Sequence, residues 1–424
     1  MKGEGAGEAG KAVNPWGNSQ AQDYQAIFSE FGIEPISTVI PELPELPPFI
    51  RRGIVVGHRD YQAIARAIRE GTPYYVMTGF MPSGHPHLGH LMVMKEVVWH
   101  VRQGATGYIA IADREAHAVR GISWEKCREY GREYLQLLRA LGYEGTSYYQ
   151  SENHPLHGLA FEASTKVNFS ELSAIYGFGP DTSLSHAESV ITQVADILFP
   201  QVDRGPAPTV VPVGVDQDPH LRLTRGIAHK LRMFTVEDRD GYVSVRGKNA
   251  PPEAVEAVHA AFPGSKKFEG HVDIRGCPLR DVEERAREIE REHGGYGFFI
   301  PSSTYHIFMP GLQGGKMSSS VPESLFSFGE KDEDIARKVK NALTGGRMTV
   351  EEQKRLGGEP DKCSIFLLDL FHLVEDDREL EEIRRACREG RLLCGPCKKA
   401  ALDRVWAFLR DFRERMDAAA PGGG

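Results

Sequence analysis

The chain reads as an α/β protein built on a parallel sheet, followed by an α-helical C-terminal region. Three observations predict this. Short apolar, β-branched runs alternate with amphipathic runs between residues 73 and 216. Turn-forming clusters separate them. Beyond about residue 330 the pattern is almost entirely helical, with acidic and basic residues mixed. Strand, loop, helix, strand in that order implies right-handed crossovers, and ligands in such sheets bind beyond the carboxyl ends of the strands.

The elements follow in order. Residues 1–20, rich in Gly, Ala and Glu, are expected to be disordered. PELPELPP (41–48) is expected to be extended, because each proline disfavours helix before it. Residues 58–70 predict a short helix with Ile64 and Ile68 on one face. PYYVMT (73–78) predicts a strand and GFMPSGHP (79–86) a turn. The run 87–104 predicts a helix, since Leu91, Met94, Val98 and Val101 recur at three- and four-residue steps and Gly104 ends it. GYIAIAD (107–113) is a second strand. Ser123 can cap a helix to Gly142, with Cys127, Tyr130, Tyr134, Leu138 and Leu141 on one face. TVVPVGVD (209–216) is a further buried strand. Residues 237–297 carry more charge and weaker strand signals, and read as an insertion. The chain divides into an N-terminal extension (1–48, partly disordered), a segment preceding the catalytic domain (49–72), that domain (73–329) and a helical domain (330–424).

Composition bounds the function. At 424 residues, two to three domains are expected. Lys plus Arg number 51 and Asp plus Glu 59, a balance of −8, which excludes a wholly basic nucleic-acid binder but not one local RNA-gripping patch. No apolar run is long enough for a transmembrane helix, so no membrane partner is expected. The first residues lack the apolar core of a signal peptide. Six cysteines are too few for a disulfide scaffold, and a cytoplasmic location is expected.

Three loops carry chemistry. In Thr78-Gly79 … His87-Leu88-Gly89-His90, the two histidines share the first turn of a helix, whose free N–H groups and positive dipole end suit phosphates. Gly89 leaves room for a flat ring or a backbone. In Gly314-Gly315-Lys316-Met317-Ser318-Ser319-Ser320, a mobile charge and hydroxyls can meet phosphate oxygens. In Val213-Gly214-Val215-Asp216-Gln217, Asp216 can accept from a ribose hydroxyl and Gln217 can bind the polar end of an amino acid. Taken singly, these also suit a surface turn, a solvated linker and an ordinary strand end.

Together and in this order, the loops resemble the signatures of class I aminoacyl-tRNA synthetases. His87-Leu88-Gly89-His90 is similar to the HIGH motif, and Lys316-Met317-Ser318-Ser319-Ser320 to KMSKS. VGVDQDPHLRLTRGIA (213–228) resembles the strand–helix junction of tryptophanyl-tRNA synthetases, with Gly226 where Asp is usual. FIRRGIVVGHRD (49–60), KVKNALTGGR (338–347), EEQKRLGG (351–358) and EDDRELEEIRR (375–385) resemble the archaeal and eukaryotic branch, the archaeal form most closely. The resemblance implies a Rossmann-like catalytic domain, an anticodon-binding helical domain, and a homodimer. It implies L-tryptophan, ATP with Mg²⁺, and tRNA(Trp) as substrates and partners. It places His87, His90, Lys316, Ser318 and Ser319 in catalysis, and Thr78, Gly79, Gly89, Gly214, Asp216 and Lys316 around ATP. More Lys and Arg than Asp and Glu across 378–415 fits an anticodon-arm contact or a solvated helical face.

Tyrosyl-tRNA synthetase is the nearest alternative. Tyrosine enzymes hold the phenol hydroxyl with a Tyr near the end of the first strand and an Asp on a later helix; Met77 stands at the first position and Ser189 where a Tyr is expected four residues before Gln193, so half of the phenol-binding set is missing. The eukaryotic indole-binding Tyr and Gln correspond to Met77 and Ala110. Resemblance to bacterial enzymes therefore assigns the indole N–H chiefly to Asp196, with Glu115 a second acceptor and Gln193 and Gln217 orienting the amino group. A nucleotidyltransferase of the same superfamily and a catalytically inactive RNA-binding paralogue are the readings from other classes. Cys363, Cys387, Cys394 and Cys397 form C-x23-C-x6-C-x2-C. Some bacterial tryptophanyl-tRNA synthetases hold a [4Fe–4S] cluster at nearly this spacing. Zn²⁺, plain reduced thiols and a redox pair at Cys394–Cys397 remain open beside it.

Overall fold

The computed structural model describes Phe28, residues 31–315, Met317 and residues 321–418. Residues 1–20, where disorder is expected, lie outside the described residues, as do Lys316, Ser318, Ser319 and Ser320.

The strands in chain order are β1 (Glu34–Pro35), β2 (Val55–Arg59), β3 (Tyr75–Phe80), β4 (Thr106–Ile111), β5 (Thr146–Tyr149), β6 (Thr209–Gly214), β7 (Phe234–Arg239), β8 (Tyr242–Gly247), β9 (Lys266–Lys267), β10 (His271–Ile274) and β11 (Ser302–His306). Seven of them form one sheet in the order β1-β2-β11-β6-β3-β4-β5. From β11 to β5 every neighbouring pair is parallel, while β2 and β1 close the other edge antiparallel. Both faces are covered, which is why β3, β4 and β6 read as near-continuous apolar runs. Alternate residues feed two cores: Tyr75, Met77, Tyr108 and Ala110 enter one, and Val76, Phe80, Ile109 and Ile111 the other. The second core continues into the C-terminal helices through Phe326, Ile335, Phe366, Leu370, Val405 and Phe412.

Several boundaries differ from expectation. β3 extends through Gly79 and Phe80, which read as a turn, because its ladder to β4 continues to Phe80 opposite Ile111. The proline-rich segment is not extended throughout. Ile40–Glu42 and Pro48–Arg51 form single helical turns with proline in the first positions, where its missing N–H costs nothing. The helix expected over 58–70 begins at Gln62, since His58 and Arg59 belong to β2. β11 carries no apolar run, yet every residue in it is buried. Three of its side chains are bonded instead to distant groups: Ser302 Oγ donates to Asp60 O at 2.7 Å, Thr304 Oγ1 to Glu96 Oε1 at 2.6 Å, and Tyr305 to Asp218 at 2.5 Å.

The charged segment read as an insertion holds a separate antiparallel sheet, β7-β8-β10-β9. Helices Pro252–Ala261 and Leu279–Glu292 pack on it through Val243, Val245, Val258, Val272, Val282 and Ile289. A buried ion pair anchors it: Glu290 accepts from Arg232 Nε at 2.8 Å and from the Phe234 backbone at 2.9 Å.

Candidate active site

β3 and β6 pair only at Tyr75–Thr209 and Val76–Val210. Beyond that point they diverge, and their carboxyl ends open a crevice, as the topology of such sheets requires. The crevice is a cavity of about 420 Å³. Thr78, Gly79, His87, Gly89, His90, Glu115, Gln193, Asp196, Gly214, Asp216, Gln217 and Met317 all line it. These residues come from well-separated parts of the chain, and the crossovers bring them together.

The helix Leu88–Arg102 starts inside the crevice with His87 as its N-cap. His87 Nδ1 accepts from the Gly89 backbone N–H at 3.1 Å, and His90 Nδ1 accepts from the His87 backbone N–H at 3.2 Å. The two imidazoles thus cap the helix reciprocally, with ring centroids 3.9 Å apart. The backbone N–H groups expected to be free for phosphate are partly consumed by these rings. Accepting at Nδ1 leaves each neutral ring its proton on Nε2, so each presents a donor there. His90 Nε2 lies 3.2 Å from the Tyr134 hydroxyl, and burial with the neighbouring His87 charge holds His90 well below the ordinary histidine pKa. The space at Gly89 is also taken locally: a Cβ there would meet His87 Cε1 at 2.9 Å.

The other loops close on this turn. Thr78 Oγ1 donates across the opening to Pro212 O at 3.3 Å, so it ties the diverging strands. A Cβ at Gly214 would stand 2.7 Å from Asp216 Oδ1, so glycine lets the buried Asp216 carboxylate fold back over the end of β6. Gly314 and Gly315 take φ of +81° and +69°, which requires glycine, and Met317 is buried beside Gly89. An isolated bridge joins His87 to Ser327. Lys316, Ser318 and Ser319 lie outside the described residues.

At the far end of the cavity Asp196, on helix Leu184–Asp203, is 3% exposed. Its Oδ1 accepts from Tyr148 Oη at 2.9 Å and its Oδ2 from Gln150 Nε2 at 2.6 Å. Burial pushes this carboxyl up to about 7, the carboxylates of Glu115 and Asp113 add to that, and the two hydrogen bonds oppose it. Met77, 1% exposed, faces the same space. Sequence reasoning missed Gln150 and Tyr148, although both flank the carboxyl end of β5, where strand topology directs ligands. It also missed His306, at the end of β11. His306 lines the cavity and its Nε2 is bonded to the buried Glu96, whose carboxyl it helps to hold at about 2 against the penalty of burial.

The family model for class I tRNA synthetases of the W and Y type matches residues 69–243 and 280–410. The tryptophan–tRNA ligase of Methanosarcina acetivorans is 52% identical over 420 residues, covering 96% of each chain. That of Archaeoglobus fulgidus is 49% identical, over 96% of this chain and 97% of its own. The chain belongs to the tryptophan–tRNA ligase family. The crystal structure of tryptophanyl-tRNA synthetase from Aeropyrum pernix is 35% identical, covers 96% of each chain and superposes with a TM-score of 0.74.

In this synthetase the C-terminal cysteines converge. Burial raises the Cys387 thiol, with Cys363 and Cys394 adding to the effect. Burial pushes Cys397 up to about 12, with Asp369, Cys363 and Cys387 adding. A Cβ at Gly346 would lie 2.5 Å from Cys394 Sγ, and one at Gly358 2.8 Å from Cys387 Sγ, so glycine backbone lines the group. Among the described residues no three His, Cys, Asp or Glu side chains are gathered tightly enough for a single metal ion. The basic excess over 378–415 is largely spent within the protein. Arg384 and Arg388 pair with Asp361, Arg385 and Arg391 with Glu382, Arg404 with Asp369, Arg413 with Asp332 and Arg415 with Asp411. No helix among the described residues is long and apolar enough to cross a membrane.

Proposed function

We propose that the crevice binds ATP against the histidine turn and L-tryptophan toward Asp196, and that the protein activates tryptophan and transfers it to tRNA(Trp). The observation that carries this reading is the joining of the histidine turn, the Gly214–Gln217 strand end and the Asp196 helix in one cavity. A tryptophan carboxylate oxygen attacks the α-phosphorus, the bond to the pyrophosphate oxygen breaks, and negative charge spreads over the phosphoryl oxygens. His87, His90 and Lys316, with Ser318 and Ser319, are assigned to stabilise that charge. Asp216 accepts from the ribose, Gly79 leaves room for the nucleotide, Gly89 and Gly214 let His87 and Asp216 fold in close beside it, and Thr78 fixes the strands that frame it. Gln193 and Gln217 face the amino acid's polar end, and the Asp196 end selects the indole, with Glu115 as a second acceptor. A Mg²⁺ ion, held by substrate phosphates and water rather than by a protein cage, would neutralise charge on the leaving group.

The helical domain is assigned to the tRNA anticodon arm, and its four cysteines to a structural [4Fe–4S] cluster. A cluster spaces its thiolates more widely than one Zn²⁺ does, and these thiols lie near enough to one another for Cys363 and Cys394 to act on Cys387, and Cys363 and Cys387 on Cys397. A homodimer is supported by Phe161, Phe169 and Leu184, which are 71%, 47% and 83% exposed on neighbouring helices. The location that suits this function is the cytoplasm. The test is ATP–pyrophosphate exchange. Tryptophan-dependent exchange is expected, and exchange with tyrosine but not tryptophan would sink the reading.

A further inference from the structure

An indole offers one polar group, its ring N–H, and burying it without an acceptor costs free energy. Met77 and Ala110, which point into the core on this side of the sheet, bring no side-chain oxygen. Asp196 is a carboxylate at this end, and each of its oxygens already holds one donor, Tyr148 on one and Gln150 on the other. Gln150 differs. It lines the cavity, is 1% exposed, and its Oε1 is buried with no hydrogen-bond partner. A buried, unbonded amide oxygen in a native cavity wall calls for a partner that arrives from outside the chain.

The orientation of that amide follows from the ionised form of Asp196, which prevails above about pH 7. A carboxylate only accepts, so in that form Asp196 faces the Gln150 NH₂ and the oxygen faces the other way. The backbone adds rigidity: Gln150 O accepts from His157 Nε2 at 2.9 Å, just beyond the end of β5. The geometry points to Gln150 Oε1 as the acceptor of the tryptophan ring N–H, with Asp196 and Tyr148 as positioning residues that hold the amide in that orientation. This rests on the tryptophan reading and refines which atom within it selects the indole.

The test compares L-tryptophan with L-β-(benzothiophen-3-yl)alanine, in which sulfur replaces the ring N–H, in ATP–pyrophosphate exchange. The wild-type protein is expected to prefer tryptophan by roughly 10- to 100-fold in kcat/KM, the value of one buried hydrogen bond. Gln150→Met keeps the side chain's length and removes the acceptor. It should lower kcat/KM for tryptophan while sparing the analogue, so that the ratio collapses toward one. Gln150→Asn keeps an amide but draws its oxygen and its NH₂ back together by one methylene, leaves Tyr148 on Asp196, and should also collapse the ratio. If Asp196 accepts the N–H directly, both variants will keep the wild-type ratio, and the assignment to Gln150 is overturned. Exchange by the wild-type protein with tyrosine alone would instead overturn the tryptophan reading, so the two failures are distinct.

Discussion

Replacing Asp196 by Asn should make the protein more stable, and by more at pH 8 than at pH 5. The carboxyl is 3% exposed and faces Tyr148, Gln150, Glu115 and Asp113. Burial raises it from an ordinary value of 3.8 to about 7. Between those two values the folded chain keeps a proton that the unfolded chain has released. The folded state then binds more protons, so stability falls as pH rises through this window and levels off above about 7. From pH 5 upward about two pH units of the window remain, at ~1.4 kcal/mol each, which makes the loss about 2–3 kcal/mol by pH 8. The amide of the Asp196→Asn variant does not titrate. Its oxygen can still accept from Tyr148, and its NH₂ can meet the Gln150 oxygen once that amide turns over. The stability difference between variant and wild type, from reversible urea titrations at both pH values, should therefore widen by about 2–3 kcal/mol at pH 8. Every other titrating group is common to the two chains and cancels. A difference equal at both pH values would refute the argument, because it would mean that Asp196 is ionised with no penalty. The turned Gln150 amide would also offer the indole NH₂ instead of oxygen, so the stabler variant should be the poorer enzyme.

Three further outcomes are expected. Lys316→Ala should lower the rate of tryptophan activation with little change in tryptophan affinity, read by single-turnover kinetics, because its charge acts on the transition state. Gly214→Ala places a Cβ 2.7 Å from Asp216 Oδ1 and should displace that carboxylate. A lost ribose hydrogen bond of about 1.5–3 kcal/mol should raise the KM for ATP roughly 10- to 100-fold while tryptophan KM changes less. Cys394→Ser should remove the broad visible absorbance of anaerobically purified protein and impair tRNA charging more than pyrophosphate exchange. Metal-free wild-type protein with full charging activity would leave the thiols as ordinary reduced cysteines.

The elements legible in the sequence are those whose signal is local. β3, β4 and β6 are buried on both faces, so each is a short apolar run, and the helix from Leu88 shows its three- and four-residue spacing directly. The histidine turn is legible too, because residues three apart on a helix must share a face, and their rings do lie 3.9 Å apart. What stays hidden depends on partners far away in sequence. β11 is a central strand made of Ser, Thr, Tyr and His, and its burial is tolerated only because Glu96, Asp60 and Asp218 supply bonds from elsewhere in the chain. No window around residues 302–306 contains that information.

The two ends of the cavity show the same division. At the histidine end, capping and chemistry fall on the same residues, so a helix-start rule finds both. The rings that stabilise the helix are held by its N–H groups at Nδ1, and that bond sets where their remaining protons sit. In the proposed indole site, by contrast, the two residues are an amide on a strand end and a carboxylate on a helix 46 residues later. Neither residue stands out alone: an Asp on a helix and a Gln after a strand are common. Only the bond between them leaves one amide oxygen without a partner in the cavity wall.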